Sequence, residues 1–84
     1  EELIVTGPVP NPARDRVRFE LGHNQDVYGV TLMIYNSTGQ QIYEKKVDNH
    51  GEIVLPVSGW NDGIYFYRFS GQGKAVKSGK LIVY

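Results

Sequence analysis

Apolar and polar side chains alternate along most of the chain with a period of two, the spacing of a strand with one face in a core and the other in water. Val17, Phe19 and Leu21 alternate with Arg16, Arg18 and Glu20, which predicts a half-buried strand. Val30, Leu32 and Ile34 share one face of the next run while Thr31, Met33 and Tyr35 share the other, a pattern that belongs nearer the middle of a sheet. Gln40 to Val47 mixes Ile42 and Tyr43 with Glu44, Lys45 and Lys46, as an edge strand does. Ile53, Leu55 and Val57 alternate again. The run Ile64-Tyr65-Phe66-Tyr67-Arg68-Phe69 is apolar on both faces, which marks it as the most central strand. The last strand covers Ala75 to Tyr84.

Turn signals separate these runs: Asn36-Ser37-Thr38-Gly39, Asp48-Asn49-His50-Gly51, Ser58-Gly59-Trp60-Asn61-Asp62-Gly63 and Gly71-Gln72-Gly73-Lys74. Each is rich in residues that accept turn backbone. Residues 1–8 are either a linker or a first strand over Leu3 to Thr6, and Gly7-Pro8-Val9-Pro10-Asn11-Pro12 separates that stretch from the next strand. Prolines at alternate positions remove ladder donors and bar a helix, so this stretch is expected to run extended over the surface or to bend at a corner. About seven short strands with no helical period predict an all-β domain, an immunoglobulin-like antiparallel sandwich. Phe19, Leu32, Ile34, Leu55 and Tyr65 are its expected core. Tyr65, just after a tight turn, is placed for its hydroxyl to bond back to backbone as a tyrosine corner does. Trp60 fits no core face and is expected to plug one end of the sandwich.

Eighty-four residues make one domain, because a chain this short buries only roughly 60–65% of its unfolded surface and has material for one core. No apolar run approaches the ~18 residues of a membrane span, so direct membrane insertion is not expected. The chain starts Glu1-Glu2-Leu3 without a methionine, which reads as a piece of a longer polypeptide whose signal peptide would lie upstream. The absence of cysteine excludes disulfides and thiol chemistry and leaves the compartment open. Nine basic and nine acidic side chains cancel, which argues against a nucleic-acid partner. The balance is uneven, though. After Asp62 no carboxylate side chain follows, while Arg68, Lys74, Lys77 and Lys80 do, so the last 22 residues carry +4. Such a tail either discourages edge pairing or is presented to a partner.

Catalytic and cofactor motifs are missing. His23 and His50 have no second histidine or cysteine at ligand spacing, and an Asp48–His50 metal site competes poorly with ordinary turn chemistry. No metal and no cofactor are expected. The serines lack a nucleophile elbow and the glycines lack a phosphate-binding pattern ahead of a helix. Glu20, Glu44 and Glu52 each stand opposite the apolar side of their own strand and read as solvated charge. Asn36-Ser37-Thr38 matches a glycosylation acceptor, but a turn explains the same residues. The aromatic residues allow a sugar-stacking surface, although strand periodicity already accounts for most of them.

Four signatures stand in order: Val9-Pro10-Asn11-Pro12-Ala13 leading into Val17-Arg18-Phe19; Ile34-Tyr35-Asn36-Ser37-Thr38-Gly39-Gln40-Gln41-Ile42; Gly63-Ile64-Tyr65; and Lys77-Ser78-Gly79-Lys80-Leu81-Ile82-Val83. Together, over residues 9 to 83, they resemble the type A C-terminal sorting domains of the type IX (Por) secretion system of the Bacteroidetes. The resemblance implies a non-enzymatic address label on a cargo protein that crosses the periplasm, passes the outer-membrane translocon and becomes surface-bound or secreted. It implies as partners the translocon and its shuttle components, and a sortase-like peptidase that usually removes the domain and joins the cargo to lipopolysaccharide. It implies a recognition segment of Lys77, Gly79, Lys80, Leu81, Ile82 and Val83, and a fold-maintaining set of Pro10, Asn11, Pro12, Gly39, Gly63 and Tyr65. Asn36 stands where the family often has aspartate and Gln40 where it often has arginine or lysine; both are turn positions. The cationic, apolar last strand suits capture by strand addition, and an exposed edge strand would also allow a homodimer. The alternative is an immunoglobulin-like adhesion or carbohydrate-binding module of a secreted protein, which shares the expected fold.

Overall fold

The computed structural model describes residues 4–22, 29–47, 51–71 and 74–84. The alternating runs form seven strands: β1 (Ile4–Val9), β2 (Arg16–Gly22), β3 (Val30–Tyr35), β4 (Gln41–Val47), β5 (Gly51–Pro56), β6 (Gly63–Gly71) and β7 (Lys74–Val83). They make two sheets, one ordered β1-β2-β5 and one ordered β4-β3-β6-β7, with antiparallel pairing throughout both. This is the immunoglobulin-like sandwich that the alternation predicts.

Period-two burial produces the core. Val17, Phe19 and Leu21 of β2, Ile53 and Leu55 of β5, Leu32 and Ile34 of β3, and Tyr65, Tyr67 and Phe69 of β6 all point inward and are buried. Phe19 bridges the sheets: its ring meets Tyr67 at 5.1 Å and Phe69 at 5.2 Å between centroids, both edge-on. Edge-to-face pairs of this kind add roughly 0.5–1.5 kcal/mol beyond the area they bury. All five expected core residues lie inside. β4 is an edge strand, with Gln41, Ile42, Glu44, Lys45 and Lys46 exposed.

Two expectations need correction. The proline-rich stretch does not end the first ladder. Thr6 pairs with Glu20 and Val9 with Arg18, so three steps of β1 answer two of β2, and Gly7 and Pro8 are accommodated in a bulge. The ladder then resumes at Val9. Second, β6 is an interior strand of its sheet, but only one of its two apolar faces is covered: Ile64 and Phe66 are exposed. The four-stranded sheet has a partner on one side only, so apolar residues of the opposite parity are left facing outward. The Asn36–Gly39 turn forms as expected, whereas the turn residues 48–50, 72 and 73 lie outside the described residues.

Candidate functional site

The segment from Lys77 to Val83 occupies β7, and its register with β6 sorts the side chains by parity. Lys77, Gly79, Leu81 and Val83 align with Phe69, Tyr67, Tyr65 and Gly63, the inward row; Lys80 and Ile82 align with Phe66 and Ile64, the outward row. Leu81 and Val83 are accordingly buried, while Lys80 and Ile82 are exposed. Gly79 is required by packing. A Cβ there would stand 2.7 Å from the Tyr67 hydroxyl oxygen and 2.9 Å from two carbons of its ring. Burial also pushes the Tyr67 phenol above its ordinary pKa. Lys77 sits on the core side but at its margin, half-buried, and its Nζ donates a 2.7 Å hydrogen bond to the Val5 carbonyl. This reach ties the β7 edge of one sheet to the β1 edge of the other, with the aliphatic stem covering apolar surface and the ammonium satisfied by a carbonyl.

The Pro10-Asn11-Pro12 motif belongs to the same place. Asn11 Nδ2 donates to the Lys80 carbonyl at 3.2 Å, and its Oδ1 accepts the Ile82 N–H at 2.9 Å. One side-chain amide therefore supplies the donor and acceptor that a neighbouring strand would present. The next pairs are made by backbone: Ala13 N–H to the Ile82 carbonyl at 2.6 Å and Tyr84 N–H to the Ala13 carbonyl at 2.9 Å, a parallel bridge between Ala13 and Val83. Ala13 is fully buried. The flanking Pro10 and Pro12 are exposed, and the Arg14 guanidinium lies 5.7 Å from the centre of the Tyr84 ring. The outer edge of β7 from Lys80 to Tyr84 is thus already paired with the chain's own residues 11–13. Capture by strand addition, expected from the sequence, has no vacant edge along that stretch.

The other motif residues shape the same end of the sandwich, where Gly63 pairs with Val83 and Tyr65 with Leu81. Asn36 Oδ1 accepts from Thr38 N–H at 3.1 Å, Thr38 Oγ1 at 2.8 Å and Gln40 N–H at 2.9 Å. A carboxylate oxygen could accept the same three bonds, but it would lose the bond that Asn36 Nδ2 donates to Gln40 Oε1 at 3.2 Å. These bonds also engage the acceptor amide of the apparent glycosylation sequon in the turn. Gly39 and Gly63 have φ of +89° and +149°, a region that side chains with a Cβ disfavour. Tyr65 donates its hydroxyl to the Asn61 carbonyl at 2.7 Å, the expected corner. Trp60 packs on the core, tilted against Tyr65 at 5.0 Å, as the plug reading requires.

Elsewhere the described residues offer no catalytic constellation. Glu20 and Glu52 stand opposite each other across β2 and β5, with Arg18 3.4 Å from Glu52, while Glu44 belongs to the other sheet. An open depression of about 410 Å³ beside Trp60 contains a single carboxylate, Asp62, where a glycosidase needs two. Among the described residues there is no buried polar or charged residue and no group of three potential metal ligands. His23, Asp48 and His50 lie outside them.

No curated protein matches the chain in sequence. The family model described as "Secretion system C-terminal sorting domain" matches residues 9–84, which takes in the Asn11 arm, the Asn36 turn, the tyrosine corner and β7. That family is not one of enzymes, and its domains serve type IX secretion. The chain belongs to the type IX secretion system C-terminal sorting domains.

Proposed function

We propose that this domain is the address by which the outer-membrane translocon selects its cargo from the periplasm, and that Lys77, Gly79, Lys80, Leu81, Ile82 and Val83 form the segment that is read. Within it the residues divide the work. Gly79, Leu81 and Val83 hold β7 on the core, Lys77 fastens it to β1, and Lys80 and Ile82 are the side chains offered to a partner. The exposure of Lys80 and Ile82 on a strand otherwise locked in place is the observation that carries this reading. Shuttle components and a sortase-like peptidase act on the cargo in turn, the latter removing the domain and joining the cargo to lipopolysaccharide; the cargo ends at the cell surface or in the medium. The domain functions without a metal, cofactor or nucleic acid. A homodimer through an edge strand is a weaker reading for the four-stranded sheet, because β4 carries Glu44, Lys45 and Lys46 and residues 11–13 cover part of β7.

The test is Lys80→Glu in a reporter fused ahead of the domain and expressed in a bacterium with type IX machinery. Cell fractionation is expected to find the wild-type fusion outside the cell and the variant in the periplasm, with thermal melting unchanged to within a few degrees. Export of the variant at the wild-type level would remove Lys80 from the segment. Truncation is a poorer test than it looks from the sequence: deleting Leu81 to Tyr84 removes two buried core residues and the strand that Ala13 pairs with.

A further inference from the structure

The outward row of β7 continues across the sheet. Lys80 is the register partner of Phe66, Phe66 that of Tyr35, and Ile82 that of Ile64. Directly opposed side chains on one face stand close enough to touch, and diagonal neighbours remain within reach of aromatic rings. Ile64, Phe66 and Ile82 are nevertheless 44%, 42% and 38% exposed. Isolated exposed hydrophobes are ordinary, but contiguous ones rimmed by charge mark interaction sites. On β6 and β7 the charge is cationic: Arg68 and Lys80 lie on this face and neither strand holds a carboxylate, while Glu44, in register with Met33 and so on the same face, stands two strands from β6 on β4.

We infer that this outer face, centred on Phe66 and Ile64 with Lys80 at its margin, is the docking surface for a protein of the secretion machinery that presents an apolar patch beside a carboxylate. The inference rests on the sorting reading and extends it from β7 to β6 and Tyr35 of β3, residues that lie outside the recognition segment. Two observations favour a side-chain partner of this chemistry. The β7 edge from Lys80 to Tyr84 is taken by Asn11 and Ala13, so a partner there must read side chains rather than backbone. The cationic margin then complements an acidic surface.

The experiment uses the same reporter fusion with Phe66→Thr and Ile64→Thr, each a strand-compatible change at an exposed position, alongside Val54→Thr as a control. Val54 is 52% exposed and its strand, β5, belongs to the other sheet. Phe66→Thr and Ile64→Thr are expected to cut export at least tenfold with melting preserved, and Val54→Thr to export as wild type. Normal export of Phe66→Thr and Ile64→Thr while Lys80→Glu is blocked would overturn the surface and leave the segment reading standing. A block by Val54→Thr equal to theirs would also overturn it, as would a wild-type domain that sediments as a dimer which Phe66→Thr dissociates, since the occupant would then be a second copy. A wild-type fusion retained in the periplasm would instead bring down the sorting reading on which the inference rests.

Discussion

Replacing Asn11 with alanine isolates the staple between the proline-rich arm and β7. The change removes two hydrogen bonds, to the Lys80 carbonyl at 3.2 Å and from the Ile82 N–H at 2.9 Å. Each is worth about 0.5–1.5 kcal/mol net, and because the site is exposed the released backbone groups can bond to water instead. The expected loss is therefore about 1–2 kcal/mol from a total of roughly 4–13 kcal/mol for a chain of this length. Asn11→Asp keeps the acceptor for Ile82 N–H but loses the donor to Lys80, and should fall between alanine and wild type. Urea unfolding measures the stability, and amide hydrogen exchange at Ile82 locates it. Protection at that amide should fall in Asn11→Ala, while the Tyr84 amide, held by Ala13, should keep most of its own. A loss under ~0.3 kcal/mol with Ile82 equally protected would refute the staple.

Phe19→Ala should cost about 3–5 kcal/mol, because it empties the space between Tyr67 and Phe69; a loss below ~1 kcal/mol in urea would place the ring elsewhere. Lys77 and Lys80 look alike in the sequence but should separate on denaturation: Lys77→Ala loses the bond to Val5 and about 1 kcal/mol, discounted for its partial exposure, whereas Lys80→Ala should stay within about 0.5 kcal/mol of wild type. Equal effects would mean that Lys77 does not clamp the sheets. Burial raises the pKa of Tyr67, so above about pH 10 the unfolded chain gives up this proton more readily than the folded one. Stability should then fall as pH rises past 10. Tyr67→Phe should reduce that alkaline slope, and an unchanged slope would show that Tyr67 does not contribute to it.

The architecture was legible because β2, β3 and β5 alternate with a period of two, and every expected core residue is buried. The division of the final segment was present in the same signal: Lys77 shares parity with Gly79, Leu81 and Val83, and Lys80 with Ile82. What the pattern does not carry is contact between distant positions. Asn11 reaches β7 across 71 residues of sequence to Ile82, and nothing local to Pro10-Asn11-Pro12 specifies that its amide replaces a strand. β6 misleads for a different reason. Ile64 and Phe66 are apolar like core residues, but periodicity cannot say whether the second face of a strand meets another layer or water.

Export of a cargo through the type IX route by this domain can be read in a matched pair of strains. A reporter carrying a signal peptide and followed by residues 1–84 is expressed in a type IX-competent bacterium and in the same strain lacking the outer-membrane translocon, and its location is scored by fractionation and surface labelling. Delivery to the surface or medium is expected in the first strain and accumulation in the periplasm in the second. Periplasmic accumulation in both strains, or delivery in both, would contradict it.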